Sequence, residues 1–78
     1  MRNTKRLAAA EEKAIIEIRQ MMRDAMGIAG ISQAELSRRL GVTQGRVTQI
    51  LYKDRNPSLK VIARVLHACG CGMRIKIR

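Results

Sequence analysis

Residues Gln33 to Tyr52 read QAELSRRLGVTQGRVTQILY, and this stretch predicts two short helices with a tight corner between them. Ser32 stands just before it as an N-cap, with Glu35 three residues on, the spacing of a capping box. The helix so opened runs to Leu40 and stops at Gly41. Only Gly41, Val42 and Thr43 separate it from the next start, because Thr43 is again a good N-cap for a helix through about Leu51.

Upstream, Leu7, Ala10, Ala14, Ile15, Ile18, Met21, Met22, Ala25 and Met26 recur at three- and four-residue steps, one face of a first helix that Gly27 and Gly30 end. Glu11 and Glu12 lie toward its N-terminus and Arg19 and Arg23 toward its C-terminus, the order a helix dipole favours. Residues 1–6, MRNTKR, are polar and half basic with nothing to bury, so a basic flexible arm is expected. Downstream, Tyr52 to Pro57 (YKDRNP) is polar, holds the sole proline and reads as a loop. Ser58 or its neighbours then open a fourth helix with Leu59, Ile62, Ala63, Val65, Leu66 and Cys69 on its apolar face and Gly70 and Gly72 closing it. In the tail, Met73, Ile75 and Ile77 alternate with Arg74, Lys76 and Arg78, the period of a strand. With no second strand to pair with, the expected partner is the same strand of a second copy, forming an antiparallel ribbon across a two-fold axis.

Sixteen Lys and Arg against six Asp and Glu give a formal charge of +10 on 78 residues, a field that selects polyanions as partners. Nucleic acid and anionic membrane attract such a chain equally, so the apolar pattern decides. No stretch approaches the ~20 apolar residues of a membrane span, and MRNTKRLAAAEEK meets Glu11, Glu12 and Lys13 before any signal-like apolar run develops. A cytoplasmic protein without a membrane partner is the expectation. The hydrophobic residues, 46% of the chain, are almost wholly Ala, Ile, Leu, Val and Met, with one Tyr and no Phe or Trp, which favours an all-α fold. Three of the five Met lie in the first helix, where a stripe at helical spacing reads as core or dimer interface.

Cys69 and Cys71 are one residue apart and His67 is the single histidine, so neither a redox pair nor a zinc site can be drawn. Cys69 reads as a small buried apolar side chain, and no metal or cofactor is expected. One His, no paired carboxylates and no Gly-rich phosphate loop leave no catalytic constellation, so an enzyme is not expected.

The stretch QAELSRRLGVTQGRVTQILY resembles the helix-turn-helix of the phage Cro and CI repressor family, also called the Xre family, and NPSLKVIARVLHACG resembles the helix that follows it there. The resemblance implies an all-α, lambda-repressor-like domain of four to five helices, with a short C-terminal β-strand pairing across a dimer. The resemblance covers about Ile31 to Gly70; the first helix is longer than usual for the family and the basic arm has no fixed counterpart there. With the readings above, the chain divides into the arm over 1–6, a DNA-binding domain over 7–70 and the strand over 71–78, with Met73, Ile75 and Ile77 as dimerisation residues. Small Ser37 would sit where the two helices touch, Gly41 would take a left-handed turn that strains a β-branched residue, and Leu36, Leu40, Val42, Val47 and Ile50 would form the core between them.

In this family the second helix of the pair enters the major groove, which places Gln44, Gly45, Arg46, Thr48 and Gln49 against base edges. The chemistry agrees, since a Gln amide pairs with adenine N6 and N7 and an Arg guanidinium with guanine O6 and N7, while Gly45 lets the backbone approach. Phosphate contacts are expected from Gln33 and Thr43 at helix N-termini, from Lys53, Arg55 and Asn56 in the next loop by resemblance, and from Arg38 on the first helix of the pair. The implied function is a sequence-specific regulator, a homodimeric repressor of its own operon on a palindromic operator in double-stranded DNA, carried by a bacterium, phage or other mobile element. The alternative is an antitoxin that neutralises a partner toxin and binds its own promoter.

Overall fold

The computed structural model describes residues 4–71, with side chains from residue 6 onward. Helix α1 spans Thr4–Ala29 and α2 spans Gln33–Leu40; α3 spans Gln44–Thr48 and runs unbroken into a π-helical turn, Gln49–Lys53; α4 spans Leu59–Ala68. Among the described residues there is no strand, and no helix is long and apolar enough to cross a membrane.

The helix starts follow from their caps. Ser32 Oγ accepts from the Glu35 N–H, Thr43 Oγ1 from the Arg46 N–H and Ser58 Oγ from the Val61 N–H, each at 3.1 Å. Each satisfies one backbone donor that a helix N-terminus leaves free. The capping box is only half made, because the Glu35 carboxylate turns to Arg38 and Arg39 instead of back to Ser32. At the end of α2, Gly41 takes φ 70°, and the N–H groups of Gly41 and Val42 return to the Arg38 and Ser37 carbonyls, a left-handed stop that glycine adopts at least cost.

Met22, Leu36, Val47, Leu51 and Val65 are fully buried, joined by Ala25, Ile50, Ile62, Leu66 and Cys69. The core therefore draws on the C-terminal half of α1 and on every later helix. Ser37 is buried at the contact of α2 with its neighbours, its hydroxyl donating to the Ala34 carbonyl at 2.7 Å. Burial, and next the neighbouring Cys71, push the Cys69 thiol above its ordinary value, which suits an inert apolar role.

Several expectations change. Val42, expected in the core, lies in the turn and is 37% exposed, while Leu40 is half-buried and packs on the core as expected, and Leu51 is fully buried. Leu59, on the first turn of α4 beyond the core's edge, is 61% exposed. Helical structure continues through Lys53, so the loop begins at Asp54, not at Tyr52. Helix α1 already includes Thr4 to Arg6, within the stretch expected as an arm, and it passes Gly27 to stop before Gly30, at φ 69°. Leu7, Ala10, Ala14 and Met21 are exposed although their spacing marks an apolar face. From Arg6 to Glu17 only Ile15 is even half-buried, because α1 extends past the body it packs on. The expected strand with Met73, Ile75 and Ile77 lies outside the described residues, as do residues 1–3.

Candidate nucleic-acid interface

Helix α3 is short, and residues from other helices hold both of its ends. Besides the Thr43 cap at the N-terminus, the hydroxyl of Thr48, the last residue of α3, shares its proton between Gln33 Oε1 at 2.9 Å and the Gln44 carbonyl at 3.2 Å, joining α3 to the first residue of α2. At the C-terminal end the π-helical turn closes with the Asp54 N–H on the Gln49 carbonyl at 2.7 Å. Arg19 Nη1 donates to the carbonyls of Tyr52 and Asp54 at 3.1 and 3.2 Å, and Arg23 Nη1 donates to that of Leu51. Two cations of α1 thus serve the carbonyl end of another helix, where the dipole places negative charge. The sequence shows only that they suit the end of their own helix; their true partners lie 28 to 35 residues away.

What α3 leaves facing outward is Gln44, Gly45, Arg46 and Gln49, all exposed. Arg46 Nη1 donates to Gln49 Oε1 at 3.2 Å, so these two heads are held together. A Cβ built on Gly45 meets nothing nearer than Thr43 Oγ1 at 3.9 Å, so the helix surface there is flat and open. Thr48, the fifth expected base contact, is half-buried with its hydroxyl engaged inside the protein. Amide and guanidinium heads on an exposed helix can donate and accept along the edges of base pairs in a major groove.

The residues expected at phosphates are more dispersed. Thr43 is engaged as the α3 N-cap, and Gln33 braces Thr48, the last residue of α3. Arg38 is exposed and pairs with Glu35 at 2.9 Å. Arg39 also pairs with Glu35, at 3.1 Å, and its Nη1 donates to the Ala68 carbonyl at 2.7 Å, which ties α2 to the end of α4. These two guanidiniums, Arg38 before Arg39, hold the Glu35 carboxyl below the usual carboxylate range. Lys53, Arg55 and Asn56 are exposed after α3, on a loop shaped by the Asn56 N–H donating to Asp54 Oδ1 at 3.0 Å. Lys53 and Arg55 also border an open groove of about 630 Å³ whose far wall is Glu11, Glu12, Ile15 and Ile16 of α1.

Two helices at a tight turn, an outward second helix carrying amide and guanidinium groups, and a charge of +10 make a surface suited to duplex DNA. Residues 22–75 match the family described as Helix-turn-helix, a match that begins at the first fully buried residue and leaves the protruding half of α1 outside. No curated protein and no solved structure matches the chain. The match covers more than half of the chain, which therefore belongs to the Cro/CI-type helix-turn-helix family, also called the Xre family, of DNA-binding transcription regulators.

Proposed function

We propose that this protein is a homodimeric repressor that recognises a palindromic operator upstream of its own gene in the cytoplasm of its host. The observation that carries the proposal is the outward set Gln44, Arg46 and Gln49 on a helix braced by Thr43, Gln33, Arg19 and Arg23. Gln44 and Gln49 supply bidentate amides for adenine and Arg46 a fork for guanine, while the exposed cations on the flanking segments meet phosphates and set affinity without sequence preference. Two such half-sites lie about 34 Å apart on one face of the duplex. No cofactor or catalytic step enters this function.

The test is fluorescence anisotropy of the purified chain on the DNA upstream of its gene and on a scrambled duplex, across ~50 to 200 mM salt. A preference of ~1000-fold or more supports a specific regulator; equal, steeply salt-dependent binding to both duplexes removes the proposal. The rival role, as antitoxin, needs free surface outside the DNA-binding helices, and the protruding half of α1 supplies it. Copurification of a toxin encoded beside the gene would favour that role.

A further inference from the structure

Along α1, Leu7, Ala14, Met21 and Ile28 fall at seven-residue steps, and all four are exposed. At 3.6 residues per turn such a row stays on one side of a helix over its whole length, the pattern by which one helix presents a seam to another. Met22, Ala25 and Ile18, which pack on the core, lie along one border of the row. Arg6, Lys13, Glu17 and Asp24 lie along the other border, all exposed. Both ion pairs among the described residues belong to Glu35, so Lys13 and Glu17 enter none of them.

We infer that α1 pairs with α1 of a second copy, antiparallel, with the two-fold axis at Ala14. The charge order selects this arrangement. In an antiparallel pair like borders meet, and centring on Ala14 sets Leu7 against Met21 of the second copy while Arg6 reaches its Asp24 and Lys13 its Glu17. The alternative antiparallel register, Leu7 against Ile28, joins Lys13 to Asp24 but carries Arg6 past Ala29, the end of the second α1, and leaves Glu17 facing Gln20 with no cation, so it makes half as many charge pairs. Parallel pairing sets the charged border against the border that carries Ile18 and Ala25, which are already packed on the core. The small side chains Ala10 and Ala14 let the two backbones approach near the axis. Three of the six acids of this strongly basic chain, Glu11, Glu12 and Glu17, lie on the protruding half of α1, so two copies meet there against the least repulsion.

The pairing stands on α1 alone, and its consequence for DNA rests on the function proposed above. Met22 and Ala25, where the helix enters the core, are eight and eleven residues from the axis, so the two cores sit about 30 Å apart along the helix at ~1.5 Å per residue. That is of the order of the half-site spacing of about 34 Å.

The test is sedimentation equilibrium of the full chain from ~1 to 200 µM, concentrations around a micromolar association. Parent, Ala14→Glu, Lys13→Glu, Lys13→Glu/Glu17→Lys and Ile75→Lys are compared, with circular dichroism confirming equal helix content. The expected result is a dimeric parent, a monomeric Ala14→Glu, a dissociation constant raised ~10-fold in Lys13→Glu through lost and reversed charge pairs, and recovery in the double variant. A parent that stays monomeric overturns the pairing. So does a dimer that Ile75→Lys dissociates and Ala14→Glu leaves intact, since the tail then carries the contact. Pairing through α1 in a chain with no DNA preference supports this inference and removes the repressor function alone.

Discussion

The Arg23 guanidinium carbon lies 4.7 Å from the centroid of the Tyr52 ring, and the same guanidinium donates to the Leu51 carbonyl and, at 2.6 Å, to Gln20 Oε1. One side chain of α1 thereby covers the turn that continues α3, combining a charged hydrogen bond with a cation–π contact.

Arg23→Ala is expected to lower stability by ~2 kcal/mol, the combined scale of a charged hydrogen bond and an exposed cation–π contact. DNA affinity falls by a similar factor on every duplex, because the helix frays without any change in its reading groups. Urea denaturation alongside binding to matched and scrambled DNA checks this. A change in base preference, with stability intact, would place Arg23 on the DNA instead.

Gln44→Ala is expected to weaken binding to the native operator by ~1 to 3 kcal/mol and to relax preference at one base pair. Its side chain is exposed and outside the core, so thermal stability stays within ~0.5 kcal/mol. Equal loss on all sequences would assign Gln44 to the phosphate backbone.

Gly45→Ala separates fold from function in the opposite sense. The new methyl group meets only open space, 3.9 Å from Thr43 Oγ1, and the helix gains ~0.5 to 1 kcal/mol from reduced chain entropy. Binding to DNA is expected to weaken, since in the proposed function the methyl group stands where base edges approach. A variant both more stable and equally tight would show that the duplex keeps clear of Gly45.

Gly41→Ala costs ~1 to 2 kcal/mol because φ 70° is strained for any residue with a Cβ, although no neighbouring atom crowds the site. The loss appears in chemical denaturation. It would be absent only if the α2–α3 turn can re-form at negative φ.

Glu35 carries a pH dependence. Its carboxyl is held below the ordinary 4.5 by the hydrogen bonds of Arg38 and then Arg39. A depressed folded-state value means that the stabilisation is complete above the unfolded value and is lost as pH falls through the lower, folded one. Parent and Glu35→Gln should therefore differ at pH 6, and the difference should shrink as the pH falls below the ordinary 4.5 and through the lower folded-state value. A difference that persists at low pH would show that charge has no part in it.

The elements set by a residue's own neighbours were legible in the chain. Ser32, Thr43 and Ser58 cap because their hydroxyls reach a backbone N–H three residues on, and Gly41 turns because it lacks a Cβ. Ser37, Leu36, Val47 and Ile50 occupy the places that the family resemblance implies. Features that depend on where another helix ends were not legible. The spacing that marks Leu7, Ala14 and Met21 as apolar tells which side of α1 they share, but not that the supporting body begins only near Ile18. Val42 and Leu59 have the right character for a core and fall just past its edges. Of the proposed interface, Gln44, Gly45, Arg46 and Gln49 are named through the family resemblance and are exposed, whereas the closure by Arg19 and Arg23 joins residues 28 to 35 positions apart and has no local signature.

The bracing of α3 from both ends has a consequence for how such a protein changes over generations. Gln44, Arg46 and Gln49 bear none of the core, and the residues that do hold the helix, Thr43, Gln33, Arg19 and Arg23, need no particular neighbour among those three. Substitution there moves through many sequences of nearly equal stability. With these residues reading the operator as proposed, a duplicated copy of the gene acquires a different target in one or two steps, with no compensating change elsewhere, and two descendants in one cell cease to interfere with each other while their folds remain the same.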